Sequence, residues 1–257
     1  MNFKRVFQLV AVSGVVLLSA NAAMADDVIR IATEGAYPPF NWKDSDGSLK
    51  GFDVDIANAL CDHMKAKCVV VAQDWDGMIP ALVSHKFDAI VASMSITDDR
   101  KKVIAFSKPY YRTSGAFLVQ KSSGIKGHQP ADLKGKTIAA QSATLYSAWL
   151  PKAYPDSKIR LYNTADEAFA DLAAGRVDAI VADEIAAKAW LDKSSNGCCE
   201  VSGDLLTDPA VLGDGAGIGV RKDDKELVER FNKAIDAIVS DGTYKKINAK
   251  YFPYSIY

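Results

Sequence analysis

"DAIVASMSITDDR", Asp88–Arg100, starts as a strand and ends as a polar patch. Ala89, Ile90, Val91 and Ala92 form an apolar run suited to a buried central strand. Ser93, Ser95 and Thr97 then supply short hydroxyls, and Arg100 supplies a guanidinium. Such an ending suits either a polar turn capping the next helix or a seat for a carboxylate. An echo downstream decides the fold. Phe87–Ala92 resembles Val177–Ala182, and the likeness extends upstream, where "MIPALVSHKFDAIVAS" and "AFADLAAGRVDAIVAD" each read as amphipathic helix, turn and buried strand. Ile79, Leu82 and Val83 mark the apolar face of the first helix; Phe169, Leu172 and Ala173 mark that of the second. Gly175 suits a left-handed helix stop. Two such units imply two similar lobes.

The rest of the chain keeps this alternation. Strands are expected at 28–33, 68–72 and 137–140, and helices at 165–174, 184–191 and 224–240. "GFDVDIANALCDHMK" reads as a helix with Asp53 at its N-cap and Phe52, Ile56, Leu60 and Met64 on one face. Strands alternating with helices predict an α/β fold of two parallel-type sheets flanked by helices. In such sheets ligands sit beyond the carboxyl ends of the strands. Glu34, Ser93 and Ser95, the stretch Gln141–Thr144, and Asp183 all follow predicted strands, two sites from each lobe, so facing lobes would line one cleft with them.

Residues 1–25 read as a secretory signal peptide: Lys4 and Arg5 precede an apolar stretch, and Ala23-Met24-Ala25 is a small-x-small cleavage site. Cleavage after Ala25 takes the formal net charge from −1 to −3, by loss of Lys4 and Arg5. That mild acidity argues against nucleic acid or an anionic membrane surface as partner. Export makes disulfides available to the four cysteines. Cys61 and Cys68 lie at a helix end and the next strand's start, where a bridge would close a short loop. Cys198 and Cys199 are adjacent, and free, vicinally bonded and otherwise paired states all stay open.

Beyond periodicity, "GFDVDIANALCDHM" resembles the signature of the family 3 periplasmic solute-binding proteins of ABC importers. "EGAYPPF", "DWDGMIPAL", "SMSITDDR" and "GDGAGIGVRKDD" resemble other blocks of that family, so the likeness spans the mature chain. It is strongest toward the lysine/arginine/ornithine- and histidine-binding members, which share the Cys61–Cys68 spacing. The resemblance implies the two-lobed periplasmic binding protein type II fold, and roles residue by residue. Arg100 would hold a ligand α-carboxylate, with Ser93, Met94 and Ser95 beside it and Thr144 contributing from the second lobe. Asp183 would take the α-ammonium. Tyr37 and Trp75 would sandwich the ligand side chain, and Glu34 would meet a distal cation. Elementary chemistry agrees: a planar guanidinium grips a carboxylate bidentately, and two aromatic faces favour a flat cation. Together these describe a pocket for arginine, ornithine or lysine, with histidine or an opine as alternatives. Opine-binding relatives also carry Glu-Gly after the first strand, as at Glu34-Gly35, whereas Asp183 favours a primary ammonium. Ala92, Ala143 and Leu145 depart from polar residues seen in close relatives.

No catalytic motif competes strongly. "ADLKGKT" resembles the end of a phosphate-binding loop, but Pro130 replaces its first glycine. His63, His85 and His128 lack metal-ligand spacing, so neither a metal nor a cofactor is expected. The enzyme rival is the similar periplasmic cyclohexadienyl dehydratases, with Glu34 as a general acid. A binding role is expected instead, with the chain monomeric and docking on an inner-membrane ABC permease, or on a chemoreceptor. The first lobe is expected at 26–111 and 213–257 and the second at 112–212, the chain crossing near 111–114 and 207–213.

Overall fold

In a computed structural model that describes residues 28–257, the apolar runs become two sheets of the same topology. The expected signal peptide lies outside the described residues. Across the first sheet the order is Cys68–Ala72, Ile29–Thr33, Ala89–Ile90, Ala216–Arg221 and Ile104–Tyr111. Across the second it is Lys158–Tyr162, Thr137–Gln141, Ala179–Asp183, Gly115–Gln120 and Cys199–Val201. The two "DAIVA" strands thus take the same third place, as the internal repeat predicts. A small three-stranded sheet, Ala36–Tyr37, Asn41–Lys43 and Leu49–Lys50, follows the first strand.

One feature differs from the expectation of parallel sheets. The fourth strand of each, Ala216–Arg221 and Gly115–Gln120, runs antiparallel to both neighbours. The reason is where the chain crosses. Ile104–Tyr111 ends at the cleft, so a chain arriving next door at Gly115 starts from the cleft and must run the other way. The return from Cys199–Val201 to Ala216 repeats the constraint. At the return crossing Gly213 has φ +72°, and a Cβ there would stand 2.3 Å from the Ile96 carbonyl oxygen, so glycine is required. The C-terminal tail clasps the outward crossing: the Arg112 N–H donates to the Ile256 carbonyl at 2.9 Å, and Ile256 is buried.

The helices follow their apolar faces with two corrections. Phe52–Met64 is capped at Gly51, so Asp53 is not its N-cap but lies in the first turn, fully buried. The first repeat helix is only Met78–Val83; Met78, Ala81 and Leu82 face the core, while Val83 is exposed. Ala165–Ala173 and Glu184–Lys193 form as expected, and Lys225–Ser240 starts where Asp224 accepts from the Leu227 N–H at 3.2 Å. Apolar clusters cover both faces of both sheets, and the two units are not independent: Tyr37 packs against the clusters of each. Among the described residues no helix is long and apolar enough to cross a membrane.

Cys61 is bonded to Cys68, tying the helix end to the edge strand, and Cys198 is bonded to Cys199, which settles the arrangement left open above. The first bridge closes a loop with a sequence separation of 7. Replacing Cys61 and Cys68 by serine should lower unfolding stability by about 2–3 kcal/mol through the freed unfolded chain, read from urea denaturation against the oxidised wild type.

Candidate functional site

The carboxyl ends of both sheets face each other across a narrow cavity. Glu34, Tyr37, Trp75, Ser93, Ser95, Arg100, Thr144 and Asp183 all line it. Eight of the nine candidate binding residues, scattered over some 150 positions of sequence, therefore meet in one place. Met94 does not line the cavity: its side chain is buried in the apolar core with Ile90, Leu82 and Ile104.

Arg100 sits in the first turn of the helix Asp98–Val103, which Thr97 caps by accepting from the Arg100 N–H. Its guanidinium turns back to the cleft, donating to the Ser95 carbonyl at 2.9 Å and to the Ala143 carbonyl of the second lobe at 3.0 Å. It also lies over the Trp75 ring, 5.3 Å from the centroid. These hydrogen bonds use two of its five N–H donors. Burial lowers its pKa to about 10, and the Asp183 charge opposes that. The group stays a cation at neutral pH.

Asp183 ends the strand Ala179–Asp183 and holds the N-cap position of the next helix, yet its carboxylate makes no capping bond. It accepts instead from the Tyr146 hydroxyl at 2.8 Å. Burial raises its pKa, opposed by hydrogen bonds from Tyr146 and Tyr37 and by the Arg100 charge. A solvated helix charge and a simple cap are thereby set aside for Arg100 and Asp183 respectively: both side chains point into the cavity.

Glu34 follows the first strand and is 8% exposed. Its Oε1 accepts from Gln141 Nε2, across the cleft, at 2.7 Å. Burial raises its pKa to about 7; the Gln141 bond opposes this, while Asp166, Asp76 and Asp74 push it further up. Asp74, Asp76 and Asp166 make the region around Glu34 strongly negative, and Asp76 is itself held by the Ser142 hydroxyl from the second lobe at 2.7 Å. Hydrogen bonds at Arg100, Glu34 and Asp76 thus reach directly across the cleft.

Thr144 caps the helix Leu145–Ala153, its Oγ1 accepting from the Ser147 N–H and donating to the Gln141 carbonyl. The helix N-terminus, with its unpaired N–H groups, therefore opens on the cavity. Ser93 and Ala143 adopt left-handed backbones, φ 55° and 52°. Two such residues, one on each side of the cleft, hold a conformation non-glycine residues adopt at a cost. The Ser93 hydroxyl does not face the cavity but donates to Asp53 at 2.9 Å. Tyr37 stacks on Phe40, with ring centroids 5.8 Å apart, and presents its remaining surface to the cleft.

Gln141 and Tyr146 line the cavity and were not among the candidate binding residues. The strand-end rule points at Gln141. For Tyr146 the signal is its position two residues after the Thr144 cap, which turns it inward beside Asp183.

Comparison with known proteins fits this geometry. Residues 29–254 match the bacterial extracellular solute-binding proteins, family 3. The chain belongs to that family. This solute-binding protein is 44% identical to the L-arginine-binding protein of Pseudomonas aeruginosa over 246 residues, covering 94% of each chain. It is 37% identical to the lysine/arginine/ornithine-binding periplasmic protein of Escherichia coli K12, covering 99% of this chain and 98% of the other. Among solved structures, an ancestral arginine-binding protein bound to arginine superposes with a TM-score of 0.81 at 37% identity, over 88% of this chain and 98% of that one. The expected type II periplasmic binding protein fold is thus the fold observed.

The Glu34 carboxyl gives a stability test. Its pKa in the folded chain, about 7, is above its ordinary value of 4.5. The folded state therefore holds the proton more tightly than the unfolded chain, and stability falls as pH rises from about 4.5 through about 7. Glu34→Gln should stabilise the ligand-free protein at pH 8 by up to roughly 3 kcal/mol and leave it nearly unchanged at pH 4.5, measured by thermal denaturation.

Proposed function

We propose that this protein is the periplasmic substrate-binding component of an ABC importer and that it binds a cationic L-amino acid in the inter-lobe cavity. The carrying observation is the placement of two buried carboxyls, Glu34 and Asp183, and the half-buried guanidinium of Arg100 around one space. Arg100 offers its free donors to an α-carboxylate, and the N-terminus of Leu145–Ala153 with Thr144 adds partial positive charge from the other lobe. Asp183 takes the α-ammonium, which resolves the cost of burying a carboxylate without an opposite charge in contact. Tyr37 and Trp75 border the aliphatic stem. Glu34, with Asp74, Asp76 and Asp166 behind it, meets a distal cation.

A neutral side chain would leave Glu34 buried without a counter-charge, and an acidic one would be repelled. Arginine is the best match, because its planar group suits both the aromatic borders and a carboxylate; the two relatives named above are described as binding arginine, and lysine, arginine and ornithine. An opine's secondary amine matches Asp183 less well than a primary ammonium does. A dehydratase would need Glu34 as an acid over a ring already held by its carboxylate; the acidic surroundings favour a cation there instead.

The ligand contacts both lobes, so it favours the closed form over the open one and shifts the population toward closure about the two crossings. The lobes in this reading are 26–111 with 213–257, and 112–212. The closed monomer would then present both lobes to an inner-membrane permease, after export and removal of residues 1–25.

Calorimetry of the mature protein against arginine, lysine, ornithine, histidine and citrulline tests the proposal. Arginine should bind at least about a hundredfold more tightly than citrulline, which lacks only the charge; equal affinities would remove the distal-cation role of Glu34. Arg100→Ala should abolish binding while the thermal transition stays cooperative. A cation needs Glu34 ionised, so arginine affinity should rise by about tenfold from pH 6 to pH 8, and Glu34→Gln should flatten that rise.

A further inference from the structure

Beneath the floor of the cleft lies a buried acid that touches no cavity surface. Asp53 is fully buried, and its carboxylate accepts three hydrogen bonds: from Asn41 Nδ2 at 2.8 Å, Ser93 Oγ at 2.9 Å and the Tyr110 hydroxyl at 2.7 Å. Two of the donors are oriented by a further bond. The Gly35 N–H donates to Asn41 Oδ1 at 2.7 Å, which turns the Asn41 amide so that its NH2 must face Asp53. The Ser93 N–H donates to the Tyr110 oxygen at 3.0 Å, which sends the Tyr110 proton toward Asp53. Asn41 and Tyr110 are fully buried as well, so water cannot replace a lost partner cheaply.

Building on the amino-acid-binding role proposed above, we infer that Asp53 is a positioning residue for the ligand cleft, holding the Glu34 loop and the Ser93–Ser95 loop in one fixed spacing. Through Asn41 it fixes Gly35, next to Glu34. Through Ser93 and Tyr110 it fixes the left-handed residue that starts the loop whose Ser95 carbonyl seats Arg100. The two loops end neighbouring parallel strands, with Ala32 paired to Ile90, and among the described residues the Glu34 carboxyl bonds to Gln141 across the cleft rather than to the Ser93–Ser95 loop. The group that grips a distal cation and the group that grips a carboxylate are thereby referenced to one carboxylate.

Only an ionised carboxylate satisfies this arrangement. Burial pushes the Asp53 pKa up to about 6 against three hydrogen bonds that pull it down, so the acceptor-only form prevails at neutral pH. Asparagine has the same shape, but its NH2 would confront a committed donor in any orientation. Asp53→Asn therefore removes the register without removing volume.

The test is a thermodynamic cycle at pH 8 with arginine: wild type, Asp53→Asn, Glu34→Gln and the double variant, each measured by calorimetry. Asp53→Asn should weaken arginine binding by at least about tenfold, and by less than about threefold when Glu34 is already glutamine, because the part of the loss that travels through Glu34 is then gone and only the part through Arg100 remains. An equal loss in both backgrounds would make Asp53 merely structural and overturn the inference; wild-type affinity in Asp53→Asn would do the same. If that variant fails to fold, Tyr110→Phe takes its place, with a loss of about threefold expected in the wild-type background and below about 1.5-fold in the Glu34→Gln background, equal losses again overturning the inference. A ligand-free measurement separates this inference from the proposed ligand class. Amide exchange at Gly35 and Ser93 should accelerate by at least about tenfold in the variant; unchanged rates at both would break the relay. A wild-type protein that binds no basic amino acid would refute the proposed function, and the exchange rates would still decide the role of Asp53.

Discussion

Burying charge without a contacting counter-charge is the constraint on which this structure turns. Arg100 and Asp183 face one cavity, sense each other's charge, and yet form their hydrogen bonds with carbonyls and a tyrosine hydroxyl rather than with each other. Bringing them into direct contact would satisfy them and close the site to any ligand. Kept apart, they leave a space that a zwitterion would complete in the function proposed above. The fold, in this sense, holds two complementary groups at a distance.

That distance is a property of the crossings. Each sheet delivers its chemistry at its carboxyl edge, and the two antiparallel strands ensure that both edges meet. Since each crossing feeds a strand in the middle of the other sheet, neither lobe is complete without a passage through the cleft. In the proposed closure, movement between the lobes would be confined to the short segments after Tyr111 and before Ala216. Tyr37 packs against apolar clusters on both sides, a contact that opening would loosen.

Much of this was legible in the residues. Apolar runs bounded by glycine and charge mark buried strands, and the strand-end rule then locates Glu34, Ser95, Thr144 and Asp183 in the cleft. Strand direction was not legible, because Gly115–Gln120 is as apolar as a parallel strand and its reversal comes only from where the chain has been. Met94 was misplaced because it lies between two cavity residues in sequence, while its side chain turns to the core. Tyr146 acquires its role from Asp183, a partner 37 positions away. Asp53 reads equally well as a helix cap or a surface acid, since nothing local announces that Asn41, Ser93 and Tyr110 converge on it.

The clasp between Arg112 and Ile256 has a practical side. Ile256 is held against the outward crossing. If that crossing is the hinge of the proposed closure, a reporter fused after Tyr257 would hang from the joint, so a sensor built that way would register lobe rotation at its attachment point and would also weigh on it. An insertion point in a loop remote from both crossings would report occupancy without leaning on the joint.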